Sequence, residues 1–113
     1  MNVSGNFNLE FAHVNHSIPD STLSLLDTPE GYVVYGNDMK IDQSPVIEET
    51  TDVERLKEVG EEGVRCMIPG TTRVDDQGRA RSEKSVKVEI EDVLESCYKA
   101  GGAVFFSTFS SQI

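Results

Sequence analysis

The fold of this chain is decided by one polar stretch, Asn15-His16-Ser17-Ile18-Pro19-Asp20-Ser21. It separates residues 6–14, in which apolar and polar residues alternate, from a second apolar run over residues 22–28. Alternation is typical of a half-buried strand, and a proline interrupts the hydrogen bonding of a sheet. The stretch is therefore predicted to form a loop between two strands, with His16 just after the first strand ends.

A second polar stretch, Asn37-Asp38-Met39-Lys40-Ile41-Asp42, follows a third predicted strand over residues 32–35. The turn Thr28-Pro29-Glu30-Gly31 joins the second and third strands, because proline and glycine stand where a type I turn favours them. The apolar face of this hairpin is predicted to carry Phe7, Leu9 and Phe11. Polar loops at strand ends are the layout of a metal site, so these two stretches form the candidate functional region.

The remaining chain alternates between predicted helices and strands. A short helix is expected to begin at Thr51-x-x-Glu54, which has the form of a capping box, and to end at Gly60 or Gly63. Its inward residues are predicted to be Val53, Leu56 and Val59. A short strand over residues 64–68 follows the helix.

A second helix is expected to be capped by Ser82 and to run to about Lys99. Apolar residues at helical spacing give it an apolar stripe: Val86, Ile90, Val93, Leu94 and Cys97. The β-prone residues of Ala103–Phe109 predict a last strand. This order of strands and helices predicts an α/β layer.

The chain is strongly acidic, with 20 acidic and 10 basic residues and a formal net charge of −10. Nucleic-acid affinity comes largely from basic side chains that displace counterions, so this balance opposes the binding of a polyanion. The basic residues form one loose cluster, interpreted as a solvated loop and helix start: Arg73, Arg79, Arg81, Lys84 and Lys87.

The sequence shows no sign of membrane insertion or secretion. No apolar run is long enough to cross a bilayer, and the N-terminus lacks a basic stretch that leads into an apolar one. We therefore expect no membrane contact and a cytoplasmic location. Cys66 and Cys97 do not form a metal-type pair, so buried free thiols in a reducing compartment are favoured over a disulfide.

Two of the motifs resemble the ribonuclease J branch of the β-CASP metallo-β-lactamase nucleases. Val14–Ser21 reads as the Val-Asn-His-Ser-Ile-Pro-Asp-Ser context of that family, and Gly36–Asp42 is similar to its Thr-Gly-Asp-Phe-Lys-x-Asp motif. Weaker similarities follow in the family's order: Ser44-Pro45-Val46, Glu62-Gly63-Val64, Ser82-Glu83-Lys84-Ser85-Val86 and Phe106-Ser107-Thr108-Phe109-Ser110-Ser111. The resemblance covers nearly the whole chain.

The resemblance implies a fold and a site. Residues 1–68 are expected to be part of the metallo-β-lactamase αββα sandwich, and residues 69–113 the start of a β-CASP insert. His16 takes the place of a zinc-binding histidine, and Asp38 that of the aspartate that bridges two zinc ions. The weaker candidates, for contacting a phosphate, are Ser110 and Ser111. The parent enzyme would cleave RNA phosphodiesters with a dinuclear zinc centre.

Three departures from the family pattern limit this implication. The His-x-His-x-Asp-His signature, expected upstream of residue 1, is absent, and the later β-CASP histidines would lie beyond Ile113. Gly70 stands where the family carries an acidic residue after its short strand. Since a catalytic zinc ion usually takes three protein ligands, His16 and Asp38 alone are not expected to hold two ions tightly.

Two functions therefore stay open. The first is a fragment or degenerate member of a ribonuclease J-like zinc-dependent RNA phosphodiesterase, inactive alone. The second is a non-catalytic interaction module on the same scaffold, which binds another copy of the chain or a complementary fragment. His13 is interpreted as a partly exposed strand residue and not as a third ligand. Asp20 and Asp42 are interpreted as turn and loop stabilisers.

Overall fold

Two short turns and one longer loop connect the first four strands, and two helices accompany the sheet that these strands form with a fifth. The structure is a computed structural model that describes residues 1–108 of the 113. Its elements are β1 (Asn2–Ser4), β2 (Phe7–His13), β3 (Thr22–Asp27), β4 (Tyr32–Tyr35), α1 (Val53–Glu62), β5 (Val64–Ile68) and α2 (Glu83–Lys99). The strands lie in the order β1-β2-β3-β4-β5, antiparallel from β1 to β4, with β5 parallel to β4. The predicted α/β class is confirmed at this level.

The face of the sheet that is buried is the opposite of the predicted one. The core consists of Ala12, Val14, Leu23, Leu25, Tyr32, Val34 and Val59, with Met39 and Leu56 packed against it. Leu56 and Val59 belong to α1, so this helix covers the side of β2 that carries Ala12. Phe7 and Phe11 lie on the other side and are 43% and 57% exposed. The prediction was wrong because alternation identifies residues that share a face, but not the face that a helix covers.

We name the uncovered side of the sheet the open face. Strand register defines it, because residues directly opposite each other point to the same side. Leu9 stands opposite Leu26, Leu26 opposite Val33, and Tyr35 opposite Ile68. The open face includes Phe7, Leu9, Phe11, Ser24, Leu26, Val33, Tyr35, Cys66 and Ile68, with His13 and Thr22 at its edge. It is uncharged and mostly apolar.

The N-cap of α1 is Asp52, not Thr51. The Asp52 carboxylate accepts a hydrogen bond from the backbone N–H of Arg55 at 3.1 Å. The capping box at Thr51 was a wrong prediction because the Thr51 hydroxyl is engaged in buried contacts with Asn15 and Lys40. The helix ends at Gly63, one of the two predicted stops, whose φ of +112° favours glycine.

The ends of the described chain differ from prediction in opposite ways. β1 was not predicted, although Gly5-Asn6 between two strand-like runs is a hairpin signal. Residues 103–108 do not form the predicted strand, and Phe105 and Phe106 are 94% and 69% exposed. This prediction was wrong over those residues because a β-prone segment needs a neighbouring strand, and it pairs with none of the five.

The second helix matches its predicted cap, but its apolar stripe is not buried. The N–H of Ser85 donates to the Ser82 hydroxyl at 3.2 Å, which confirms the cap, and the helix ends at Lys99. Cys97 is half-buried and Cys66 is exposed, so the predicted burial of both thiols was wrong, while both are free thiols as expected. Neither helix found in residues 1–108 has the length and apolar content of a membrane span.

Candidate metal centre

Three loops leave the sheet at the same edge. β2 and β4 run in the same direction because each pairs antiparallel with β3, and β5 runs parallel to β4. The carboxyl ends of these three strands therefore lie together, at what we name the strand-end edge. His16, Asp38 and Gly70 follow β2, β4 and β5 in turn. The topology thus places both candidate ligands at one edge of the sheet.

A backbone contact joins the loops of His16 and Asp38. The N–H of Lys40 donates to the carbonyl oxygen of Asn15 at 2.9 Å, and the two residues form an isolated antiparallel bridge. Asn15 directly precedes His16, and Lys40 follows Asp38 by two residues. The bridge therefore holds the two ligand-bearing loops side by side.

Beneath this bridge lies a buried pair of polar side chains, Asn15 and Thr51. The Asn15 N–H donates to Thr51 Oγ1 at 2.9 Å, and the Thr51 N–H donates to Asn15 Oδ1 at 3.1 Å. Asn15 Nδ2 donates to the Glu49 carbonyl at 2.5 Å, and the Thr51 hydroxyl lies 2.9 Å from the Lys40 carbonyl. Since buried polar groups are costly unless hydrogen-bonded, this mutual satisfaction holds both loops in one conformation.

The side chains of the two candidate ligands are half-buried. Neither the His16 nor the Asp38 side chain bonds to another residue within the described chain. A Cβ on Gly70 would lie 2.6 Å from Asp38 Oδ1 and 2.6 Å from the Asp38 backbone nitrogen. The residue that departs from the family pattern is therefore in contact with Asp38, and a side chain there requires the backbone to shift.

The residues present match part of a zinc site. Imidazole nitrogen and carboxylate oxygen are ligand types that zinc takes, and His16 and Asp38 supply one of each. Across residues 1–108, no three histidine, cysteine, aspartate or glutamate side chains converge into a group that could hold a metal ion. His13 Nε2 lies 3.1 Å from the Glu49 carbonyl, so it serves the loop contact. The predicted phosphate contacts, Ser110 and Ser111, lie outside the described residues.

A second polar cluster, which we name the polar joint, consists of Lys40, Asp42 and Glu83. Asp42 accepts the backbone N–H of Glu83 at 2.7 Å and that of Ser44 at 2.9 Å, which lowers the pKa of its carboxyl group. Lys40 Nζ lies 2.7 Å from Glu83 Oε1, and this contact is the main cause that lowers the pKa of Glu83. Asp42 thus has the loop-stabilising role expected of it.

Much of the predicted basic cluster is already paired with acidic side chains. Arg73 lies 2.5 Å from Asp76, Arg81 2.6 Å from Glu89 and Lys87 3.7 Å from Glu91. All of these side chains are more than half exposed. Solvated pairs of this kind contribute little to stability, so the cluster fits a solvated loop and helix start.

Comparison with known proteins finds relatives along the whole chain. Ribonuclease J of Methanocaldococcus jannaschii is 39% identical over 113 residues, which is 100% of this chain and 25% of that protein. Ribonuclease J of Pyrococcus abyssi is 41% identical over 112 residues, or 98% of this chain and 25% of the relative. Ribonuclease J of Helicobacter pylori is 35% identical over 109 residues, which is 96% of this chain and 15% of that protein. No family model matches the chain. The chain is related to ribonuclease J.

The relation confirms the resemblance inferred from Val14–Ser21 and Gly36–Asp42. The chain spans about a quarter, or less, of the length of the ribonuclease J proteins that it matches. Sequence reasoning missed two features that surround the candidate ligands, the Asn15–Thr51 pair and the polar joint. All of their residues except Thr51 lie inside ribonuclease J-like motifs, but motifs draw attention to ligands and not to the groups that hold them in place.

Proposed function

We propose that this chain supplies His16 and Asp38 as two ligands of the metal site of a ribonuclease J-like nuclease that hydrolyses RNA phosphodiesters. The observation that carries the proposal is the Asn15–Lys40 bridge, which joins the two loops at the strand-end edge. The relation to ribonuclease J supports RNA as the substrate class. Zinc is the proposed metal, and when bound it would activate water and stabilise charge on the phosphate.

The proposal assigns the other ligands to polypeptide outside these 113 residues. His16 and Asp38 are two donors, whereas a catalytic zinc ion usually takes three from protein. The relatives are at least four times as long as the matched segment, so their remaining length has room for further ligands. We therefore expect the isolated chain to bind zinc weakly and to leave RNA uncut.

The proposed fold adds a second sheet to the one described above. Residues 1–68 would belong to one layer of a metallo-β-lactamase αββα sandwich, and residues 69–113 would begin a β-CASP insert. The open face supports this, because a sheet with a helix on one side and apolar residues on the other is suited to packing on a second sheet. A cytoplasmic location is part of the same proposal, and the free thiols of Cys66 and Cys97 support it.

A segment exchange tests the function directly. The segment of Methanocaldococcus jannaschii ribonuclease J that matches this chain is replaced by the chain, and cleavage of a labelled RNA is measured with zinc present. His16→Ala and Asp38→Asn are made in this chimera, and His13→Gln is the matched control because His13 bonds to a backbone carbonyl. Loss of a metal ligand should lower the cleavage rate about 100-fold or more.

The chimera has three informative outcomes. Cleavage that depends on His16 and Asp38 but not on His13 supports the proposal. Equal cleavage by the His16→Ala chimera and its parent refutes the ligand assignment. A folded chimera that binds zinc but does not cleave RNA favours the second candidate function.

The second candidate is a non-catalytic interaction module, and the open face favours it. Phe11, Tyr35 and Ile68 are each at least half exposed, and apolar surfaces of this kind mark interaction sites. Gly70 gives further support, since a catalytic relative is expected to keep the acidic residue found there in the family. The partner would be a second copy of the chain or a complementary polypeptide.

A further inference from the structure

Apolar packing does not fix the direction of α2. No residue of this 17-residue helix is buried, and Val86, Ile90 and Val93 of its apolar stripe are 38%, 42% and 59% exposed. Residues 69–81, which connect β5 to α2, are exposed throughout. The direction of the helix must therefore be set mainly at its first residues.

Glu83, the first residue of α2, is held by both its side chain and its backbone. Glu83 Oε1 lies 2.7 Å from Lys40 Nζ, and Glu83 Oε2 accepts the backbone N–H of Val46 at 2.8 Å. The N–H of Glu83 donates to Asp42 Oδ2 at 2.7 Å, and Asp42 is only 6% exposed. These contacts hold Glu83 from several directions. They therefore restrain the rotation of α2 as well as the position of its first residue.

The same cluster is continuous with the candidate metal centre. The Lys40 N–H donates to Asn15, which precedes His16, and the Lys40 carbonyl accepts from Thr51. The side chain of Lys40 reaches Glu83. A cleft of about 510 Å³ lies between the loops and α2, and its walls include His16, Ile47, Val86 and Lys87.

We propose that Lys40, Asp42 and Glu83 form a joint that fixes the direction of α2 relative to the strand-end edge, and so sets the width of the cleft that His16 lines. The three are positioning residues, since they act on the helix and not on a ligand. The inference goes beyond the proposed nuclease function, because helix direction can be measured in the chain alone, without zinc or RNA.

Spin-label distance measurements test the joint. One nitroxide is placed on Cys66, which is exposed on β5, and one on Tyr98→Cys, at a side chain that is 85% exposed near the end of α2, with Cys97→Ala removing the other thiol. In this background, Glu83→Gln and Lys40→Met should broaden the distance distribution about twofold, as expected when a hinge loses its restraint. Glu54→Gln is the matched control, because Glu54 forms an exposed pair with Lys57 on α1.

A double variant and a stability measurement complete the test. Lys40→Glu combined with Glu83→Lys restores an opposite-charge pair but places a carboxylate beside Asp42 and leaves the Val46 N–H without its acceptor, so it should narrow the distribution only in part. Urea titration and far-UV circular dichroism establish that each variant is folded. If Glu83→Gln and Lys40→Met lower the unfolding free energy while the distance distribution stays that of the control, the joint only stabilises the chain and the proposal is overturned.

Discussion

At the scale of single residues, Asn15 supports both candidate ligands although it is not a ligand. Its side chain is 1% exposed and bonds to the backbone of Glu49 and Thr51. Asn15→Ala leaves these buried groups unpaired, so we expect the unfolding free energy to fall by about 2–3 kcal/mol in a urea titration. Asn8→Ala, at an exposed asparagine, is the control and should change it by less than about 0.5 kcal/mol. Equal losses would show that the buried pair does not hold the loops.

Gly70 and Gly60 form a matched pair for a second test at this scale. A Cβ at Gly70 would lie 2.6 Å from Asp38, whereas a Cβ at Gly60, inside α1, meets no atom within 4 Å. Gly60→Ala should therefore raise the unfolding free energy by about 0.5–1 kcal/mol. Gly70→Ala should lower it by about 1–3 kcal/mol and shift the Asp38 amide resonance in an NMR spectrum. A stabilising Gly70→Ala would mean that the β4 and β5 loops are further apart than described.

Among the elements, α1 and β2 are joined by a polar contact with a defined pH dependence. The Arg55 guanidinium bonds to both Glu10 carboxylate oxygens, at 2.8 and 2.9 Å, and this hydrogen bonding lowers the pKa of Glu10. A carboxyl group whose pKa is lower in the folded state binds fewer protons there, so its contribution is complete above the ordinary value of 4.5 and is lost as the pH falls below it.

The prediction is that Glu10→Gln removes part of the acid-induced loss of stability. Unfolding free energies are measured by urea titration from neutral pH to below 4.5, the ordinary value for this group. The variant should be less stable than the parent at neutral pH, and the difference should shrink as the pH falls. Glu54→Gln, which removes an exposed pair with Lys57 on α1, is the control and should keep the parent's pH profile. A constant difference at all pH values would contradict the linkage.

Elements could be predicted from sequence where local signals decide them. The turn at Thr28–Gly31 has its 3.0 Å hydrogen bond, and the caps at Gly63 and Ser82 are where glycine and serine indicate. The shift of the α1 cap from Thr51 to Asp52 could not be predicted, because the Thr51 hydroxyl bonds to Asn15, which is distant in sequence. The buried side of β2 and the absence of strand over residues 103–108 likewise depend on tertiary neighbours. At the site, the motifs predicted His16 and Asp38 as candidate ligands. The closeness of Gly70 to Asp38 could not be predicted without the sheet topology.

At the scale of the whole molecule, the chain is extended and has two uncovered apolar surfaces. Its radius of gyration is 18.5 Å, whereas a compact domain of this length has a value of about 13 Å. The open face and the apolar stripe of α2 are both uncovered by the described residues. Each surface has the character of a domain interior, so both candidate functions require further polypeptide or a second copy to cover them.

The open face should therefore drive self-association of the isolated chain. We expect sedimentation equilibrium over a concentration series to give an average mass above 12.5 kDa, the mass of one chain. Phe11→Lys places a charge in the open face and should weaken association about tenfold or more, while its 57% exposure predicts little loss of stability. Val74→Lys, at a 73% exposed residue in the connection between β5 and α2, adds the same charge and should leave association unchanged. If both variants weaken association equally, general charge repulsion accounts for the effect. If the parent chain is monomeric at every concentration, the interaction-module function loses its main support.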